Sequence, residues 1–264
     1  MTTEYSSAHG PDTELVWRDD ELCDPHASAE KAAKVRRMFA AIAHSYDLNN
    51  RVHSLWRDQA WRRSAVRRAR VNEGDVVLDV ACGTGDLTQA FARTAAARVI
   101  GVDFTPEMLE QARRKLHRLP SAQAARIEYR LGDAMALELD DRSVDVVSIA
   151  FGIRNVADPV QAVGEFARVL RPGGRLVILE FDRPRFAPLR WFNDFYCGWF
   201  MPRSATALSG DRSGAYRYLP KSVGAFMPRE AVLEMLGTHG FEDLVATPLT
   251  FGVCMCYLGV KRAD

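Results

Sequence analysis

From residue 74 onward, short runs of β-branched and apolar residues alternate with stretches of helical period. That alternation leaves few architectures open. The runs are 76–80, 98–103, 127–130, 144–150 and 175–181. Between them Met108, Leu109, Ala112 and Leu116 recur at helix spacing, as do Val160, Val163, Phe166, Ala167 and Leu170. The second pattern stops at Arg171-Pro172-Gly173-Gly174, where proline and glycine cannot continue a helix. Strands apolar on both faces belong in a sheet covered on both sides. Regular β–α alternation implies parallel strands joined by right-handed crossovers. The last two runs, 241–248 and 251–260, lie too close in sequence for a crossover and predict an antiparallel hairpin. The expected fold is an α/β, Rossmann-like, doubly wound seven-stranded sheet that ends in this hairpin.

The 264 residues suit a single domain spanning 29–264, with 1–28 as a loose polar tail. Residues 29–70 read as N-terminal helices, with Ala32, Val35, Met38, Phe39 and Ile42 on one stripe. Residues 183–228 interrupt the alternation with Phe186, Trp191, Phe192, Phe195, Tyr196, Trp199 and Phe200, and read as a helical insertion that forms a substrate lid. A helix over 229–238 precedes the hairpin. No basic segment leads into an apolar run at the start, so no secretory signal is expected. No apolar run reaches the ~20 residues of a membrane span. A formal net charge of +1 gives no field that would draw nucleic acid, and no such partner is expected. Five scattered cysteines do not form a disulfide framework, and a reducing cytoplasm is the expected compartment. Cys254-Met-Cys256 is spaced too tightly for a zinc knuckle and reads as two thiols on one face of a buried strand, so no metal is expected.

The densest motif is Val77-Leu78-Asp79-Val80-Ala81-Cys82-Gly83-Thr84-Gly85-Asp86-Leu87-Thr88, at the turn from the first strand into the first crossover helix. Glycines there allow a tight turn and a close approach of backbone to ligand. Ligands of such sheets bind at the carboxyl ends of the strands. Asp103 ends the second strand, where a carboxylate can accept from both hydroxyls of a ribose. Asp133 and Ala134 follow the third strand, where the carboxylate can accept from an adenine amino group. Counted from Gly83 and Gly85, a dinucleotide fingerprint would put its third glycine at position 88, which is Thr88. The expected cofactor is therefore S-adenosylmethionine (SAM) rather than a nicotinamide nucleotide, with Asp79, Gly83, Gly85, Asp103 and Asp133 at its site.

Five segments together resemble the ubiquinone/menaquinone biosynthesis C-methyltransferases, a family of class I SAM-dependent methyltransferases. They are Tyr46-Asp47-Leu48-Asn49-Asn50 with Trp61, the glycine loop at 78–88, Phe151-Gly152-Ile153-Arg154-Asn155-Val156, Arg168–Gly174 leading to Leu179-Glu180-Phe181, and Tyr216-Arg217-Tyr218-Leu219. Three positions depart from the family pattern. Asp58 stands for a histidine, Ala150 for a serine and Asp182 for a small polar residue. The resemblance implies that Thr84, Asp103, Asp133 and Ala134 hold SAM, and that its methyl passes to a ring carbon of a prenylated quinol, with demethylmenaquinol favoured. A polyprenyl benzoquinol, or another small aromatic or lipid substrate, remains open.

Arg154 and Asn155, after the fourth strand, are the expected catalytic pair. An arginine stays protonated and is suited to stabilise a phenolate or polarise a water, while the amide orients it. Tyr216, Arg217 and Tyr218 are expected to line the quinol pocket, and His53 and Asp58 are candidate bases. The aromatic stretch 186–201 and the arginines at 62–70 would allow peripheral contact with the inner face of a membrane. A homodimer is left open.

Overall fold

The computed structural model describes residues 16–17, 21–26, 30–209 and 213–263. Three helices lead the chain: α1 (Lys31–Ile42), α2 (Tyr46–His53) and α3 (Arg57–Arg68). The alternating core follows as β1 (Val76–Val80), α4 (Asp86–Phe91), β2 (Arg98–Asp103), α5 (Pro106–Lys115), the short α6 (Ser121–Ala124), β3 (Ile127–Leu131), β4 (Val144–Ala150), α7 (Pro159–Val169) and β5 (Leu170–Phe181). Then come α8 (Ala187–Phe195), a π-helical turn over Tyr196–Phe200, α9 (Met201–Ser209), α10 (Ala215–Ala225), α11 (Arg229–Thr238), β6 (Phe241–Leu249) and β7 (Cys254–Lys261).

The sheet has seven strands in the order β3-β2-β1-β4-β5-β7-β6. The first five pair in parallel, and β7 runs antiparallel to both β5 and β6. Both faces are covered, as the apolar strands require. One face packs Leu78, Ile100, Val147, Ile149 and Ile178 against Phe166, Val163 and Leu236 from the crossover helices. The other packs Val77, Val99, Val146 and Val177 against Trp61, Ala65 and Phe91. Each large apolar side chain so buried contributes about 1.5–3 kcal/mol. Helix α7 shows the local logic. Pro159 pre-sets its first turn, and Asp158 accepts from the amides of Val160 and Gln161 at 2.9 and 3.1 Å. Cys254 and Cys256 lie on one face of β7, both fully buried.

Of the expected tail, residues 1–15, 18–20 and 27–28 lie outside the described residues; within the described part Cys23 and Asp24 are exposed, while the apolar Trp17 and Leu22 are packed. Trp17 is fully buried and stacks on Tyr218 with ring centroids 4.7 Å apart, and Leu22 joins the same cluster. A single tryptophan in a polar stretch gives no periodic signal, so composition could not reveal it. The arginines at 62–70 do not form one surface. Arg63, Arg67 and Arg70 are exposed, whereas Arg62 turns inward.

Candidate active site

The strand order reverses between β1 and β4, and the crevice beyond their carboxyl ends is where this topology takes ligands. A cleft opens there, enclosing about 750 Å³ of empty space. Its lining comes from the ends of four strands: Ala81 and Gly83 after β1, Asp103 to Thr105 at β2, Gly132 to Met135 after β3, and Ala150 to Gly152 with Asn155 after β4. Ala32, Phe39 and Tyr46 from α1 and α2 close it from above. A second chamber of about 610 Å³ adjoins it and shares Phe39, Tyr46 and Phe151. The inner chamber is lined by Met38, Ile42, Trp61, Phe181 and Leu219, and by the polar Asn50, Ser54, Asp58, Arg62, Arg154, Tyr216 and Tyr218.

The backbone around the crevice is shaped for close approach. Ala81 and Phe151, at the ends of β1 and β4, hold φ at 50° and 59°, a region that costs an ordinary residue free energy and clusters at ligand sites. A Cβ added at Gly152 would stand 2.6 Å from the Ala81 Cβ, so these two turns meet in contact.

Asp103 is the organising acid of the outer cleft. Its Oδ2 accepts from the Gly83 amide at 2.8 Å and its Oδ1 from the Thr105 amide at 2.8 Å. Burial raises its pKa, and these two amides oppose the rise. A carboxylate has about four lone-pair sites, so two remain for a ligand that donates in pairs. Asp133 lines the same cleft from the exposed side, with Oδ1 accepting from the Met135 amide at 2.9 Å, and Ala134 lies beside it.

Of the other expected cofactor residues, Gly83 lines the cleft, whereas Asp79, Thr84 and Gly85 serve the loop. Asp79 is buried beneath it and accepts from Thr88 Oγ1 at 2.6 Å and Ser148 Oγ at 2.8 Å. Burial pushes its carboxyl up to about 6, against the pull of both hydroxyls. Thr88, where a dinucleotide fold would need glycine, is thus the latch that ties α4 to β1. Gly85 is required by packing, because a Cβ there would lie 2.1 Å from the Tyr129 hydroxyl. Thr84 donates to Asp47 Oδ1 at 2.5 Å, and Lys115 Nζ reaches Asp47, Thr84 and Asp86. This network fixes α2 over the glycine loop.

Arg154 and Asn155 lie in a 3₁₀ turn beyond β4, on opposite sides of the partition. Asn155 lines the outer cleft, donating to the Phe151 carbonyl at 3.2 Å and accepting from the Tyr218 hydroxyl at 3.0 Å. Arg154 lines the inner chamber and is buried. Its charge is met by Glu180 at 2.6 Å, with further bonds to the Phe151 carbonyl and Ser222. Tyr216 and Tyr218 line the inner chamber, while the half-buried Arg217 between them lines neither space. Of the candidate bases, Asp58 lines the inner chamber. His53 does not, and its ring is bonded to the Asn49 carbonyl and Ser204.

Sequence reasoning missed Arg62, Tyr46 and Phe151 as wall residues. A signal for Arg62 was present. The buried stripe of α3 runs through Asp58, Trp61, Arg62 and Ala65, at positions where a helix face against a core should be apolar. Two charges on that stripe mark a polar site.

The comparisons with known proteins show the family. The pattern of the ubiE/COQ5 methyltransferase family matches residues 27–261. The chain belongs to the ubiE/COQ5 methyltransferase family. It is 40% identical over 238 residues to a Geobacter protein named ubiquinone/menaquinone biosynthesis C-methyltransferase UbiE, covering 89% of this chain and 100% of that one. It is 42% identical to a Deinococcus radiodurans demethylmenaquinone methyltransferase, covering 88% and 95%, and 43% identical to one from Thermus thermophilus, covering 84% and 99%. Among solved structures, a SAM-dependent methyltransferase from Thermotoga maritima superposes with a TM-score of 0.60 at 20% identity, covering 86% of this chain and 100% of that one. A phosphoethanolamine N-methyltransferase from Haemonchus contortus superposes with a TM-score of 0.56 at 17% identity, covering 76% and 52%. At such identity the structures establish the fold, and it is the SAM-dependent methyltransferase fold. The outer cleft fits that donor: a buried carboxylate with free lone pairs at the end of β2, a second acid beyond β3, and left-handed backbone at the ends of β1 and β4.

Proposed function

We propose that this ubiE/COQ5-family enzyme methylates a ring carbon of demethylmenaquinol to give menaquinol. The observation that carries the reading is the pair of adjoining chambers, one lined by the acids Asp103 and Asp133, the other aromatic and cationic, which share the Phe151 and Tyr46 walls. The names of the Deinococcus and Thermus relatives support a naphthoquinol over a benzoquinol. Gly83, Asp103, Asp133 and Ala134 would hold SAM, with Asp103 on the ribose and Asp133 toward the adenine amino group. Bound SAM supplies an electrophilic methyl on a sulfonium. The protein holds the quinol carbon in line with it, and such positioning supplies on the order of 7–11 kcal/mol of the barrier. Asn155, fixed by Tyr218, and Arg154, fixed by Glu180, orient the ring at the partition, and the aromatic walls exclude water. Incubating the protein with SAM and demethylmenaquinol, and following the methylated product by mass spectrometry, tests the reading. A benzoquinol methylated in preference would redirect it, and methylation of neither quinol would contradict it.

Delivery of so apolar a substrate has a surface to match. No helix among the described residues is long and apolar enough to cross a membrane. On α8 and the following turn, however, Phe186, Trp191, Phe192, Phe195, Trp199 and Phe200 are 48–72% exposed. Trp191, Phe195 and Trp199 stack as a ladder with centroid spacings of 6.2 and 5.5 Å, flanked by Arg190 and Arg203. An exposed aromatic ladder with basic flanks suits the interface of an anionic bilayer. Peripheral docking through α8 would present the insertion, and the inner chamber below it, to lipid-dissolved quinol.

A further inference from the structure

Arg62 is 8% exposed, and neither its Nε nor its Nη1 has a hydrogen-bond partner. Its guanidinium carbon lies 5.1 Å over the Phe151 ring, the wall shared by both chambers, and the side chain lines the inner chamber. Asp86 and Asp79 feel its charge, but its Nε and Nη1 donors stay unfilled, and an oxyanion in the chamber would fill them. Arg154, in the same chamber, already has Glu180. Asp58 lies one turn before Arg62 on α3 and lines the same space. Ser54 Oγ donates to its Oδ1 at 3.0 Å and Gln59 Nε2 to its Oδ2 at 2.9 Å, which fixes the carboxylate and leaves lone pairs on each oxygen.

The structure assigns a second reactive pair to this enzyme: Asp58 accepts the proton of one quinol hydroxyl, and Arg62 holds the resulting oxyanion. The inference rests on the quinol reading above. The O–H bond breaks, its proton passes to an Asp58 oxygen, and its electron pair stays on the quinol oxygen facing Arg62. Charge then delocalises onto the adjacent ring carbon and makes it nucleophilic. When that carbon has gained its methyl and loses its hydrogen as a proton, Asp58 returns its own proton to the oxygen. The carboxylate ends as it began, and one proton is released per turnover. The pair faces the chamber because helix spacing of four residues places both side chains on one face of α3.

The test uses 4-nitro-1-naphthol, a naphthol whose ionised form is coloured, titrated on the intact protein in the presence of S-adenosylhomocysteine. On the wild-type protein the bound probe should ionise at a pH lower than the free probe by about one to two units, as a neighbouring cation requires. Arg62→Gln should abolish that shift and lower kcat by about 10²–10³-fold, with Arg62→Lys recovering much of both. Asp58→Asn should keep the shift and still lower kcat by about 10²–10⁴-fold, because it removes the proton acceptor and not the cation. Unchanged S-adenosylhomocysteine affinity shows that the variants are folded. Equal ionisation of bound probe in wild type and Arg62→Gln overturns the pair. Failure of the probe to bind wild type at all contradicts the quinol reading itself.

Discussion

The hydroxyl of Tyr218 donates to Asn155 Oδ1 at 3.0 Å, joining the insertion to the turn that ends β4. This bond crosses the partition, because Tyr218 lines the inner chamber and Asn155 the outer one. Tyr218 is in turn stacked on Trp17, so a residue far upstream of the core supports this bond. Tyr218→Phe keeps the stack and removes the bond. We expect a stability loss of about 1 kcal/mol and a fall in kcat/KM of about 5- to 10-fold, read by denaturant unfolding and steady-state kinetics. An unchanged kcat/KM would show that Asn155 needs no such support.

Two glycines of one loop should separate by variant. Gly85 has φ 79° and no room for a Cβ against Tyr129, whereas Gly83 has φ 55° and open space. Gly85→Ala should cost about 3 kcal/mol of stability through overpacking and strain. Gly83→Ala should cost about 1 kcal/mol and weaken S-adenosylhomocysteine binding, because Gly83 lines the cleft. Chemical denaturation and calorimetric titration measure both. Equal stability losses would refute the division between packing and ligand approach.

Asp79 gives the protein a pH-dependent term of definite sign. Its carboxyl is raised from 3.8 to about 6 by burial, so the native state binds its proton more tightly than the unfolded chain does. The stability it contributes is complete below about pH 4 and is lost as pH rises through about 6. Asp79→Asn has no such loss. The stability of the variant relative to wild type should therefore rise between about pH 4 and 7, by on the order of 3 kcal/mol. A difference that stays constant across that range in urea unfolding would contradict the assignment.

The aromatic ladder of α8 is tested on vesicles. Replacing Trp191 and Trp199 by alanine should weaken sedimentation with phosphatidylglycerol vesicles at least about tenfold, since each buried ring contributes about 1.5–3 kcal/mol. Turnover of a short-tailed quinol in detergent should be unaffected. Undiminished vesicle binding would assign the exposed rings to another role.

The sheet and the outer cleft were legible in the sequence because both are written in local patterns. Strand runs, the Arg171-Pro172-Gly173-Gly174 stop and the acids at 103 and 133 each sit at a position that topology fixes. The closing hairpin was legible for the same reason, and β6 and β7 pair antiparallel as their short separation requires. The inner chamber was less so. It is assembled from α1, α2, α3, α10 and the ends of β4 and β5, and no local rule brings Asp58, Arg154 and Tyr216 together. The arginine cluster misled because composition does not say which members of a run face inward. Asp79 differs in another way: its place in the glycine motif suggested ligand contact, and the structure sets its carboxylate beneath the loop, bonded to Thr88 and Ser148 and outside the cleft lining.

An adenosine site organised by Asp103 in the outer cleft is the premise of the proposed methyl transfer. Calorimetric titration of S-adenosylhomocysteine into wild type and Asp103→Asn tests this directly. Binding to wild type should be saturable and one-to-one, and weaker by about 100-fold or more in the variant, as removal of two charged hydrogen bonds to a ribose requires. Affinity within threefold of wild type, or no binding to either protein, would contradict it.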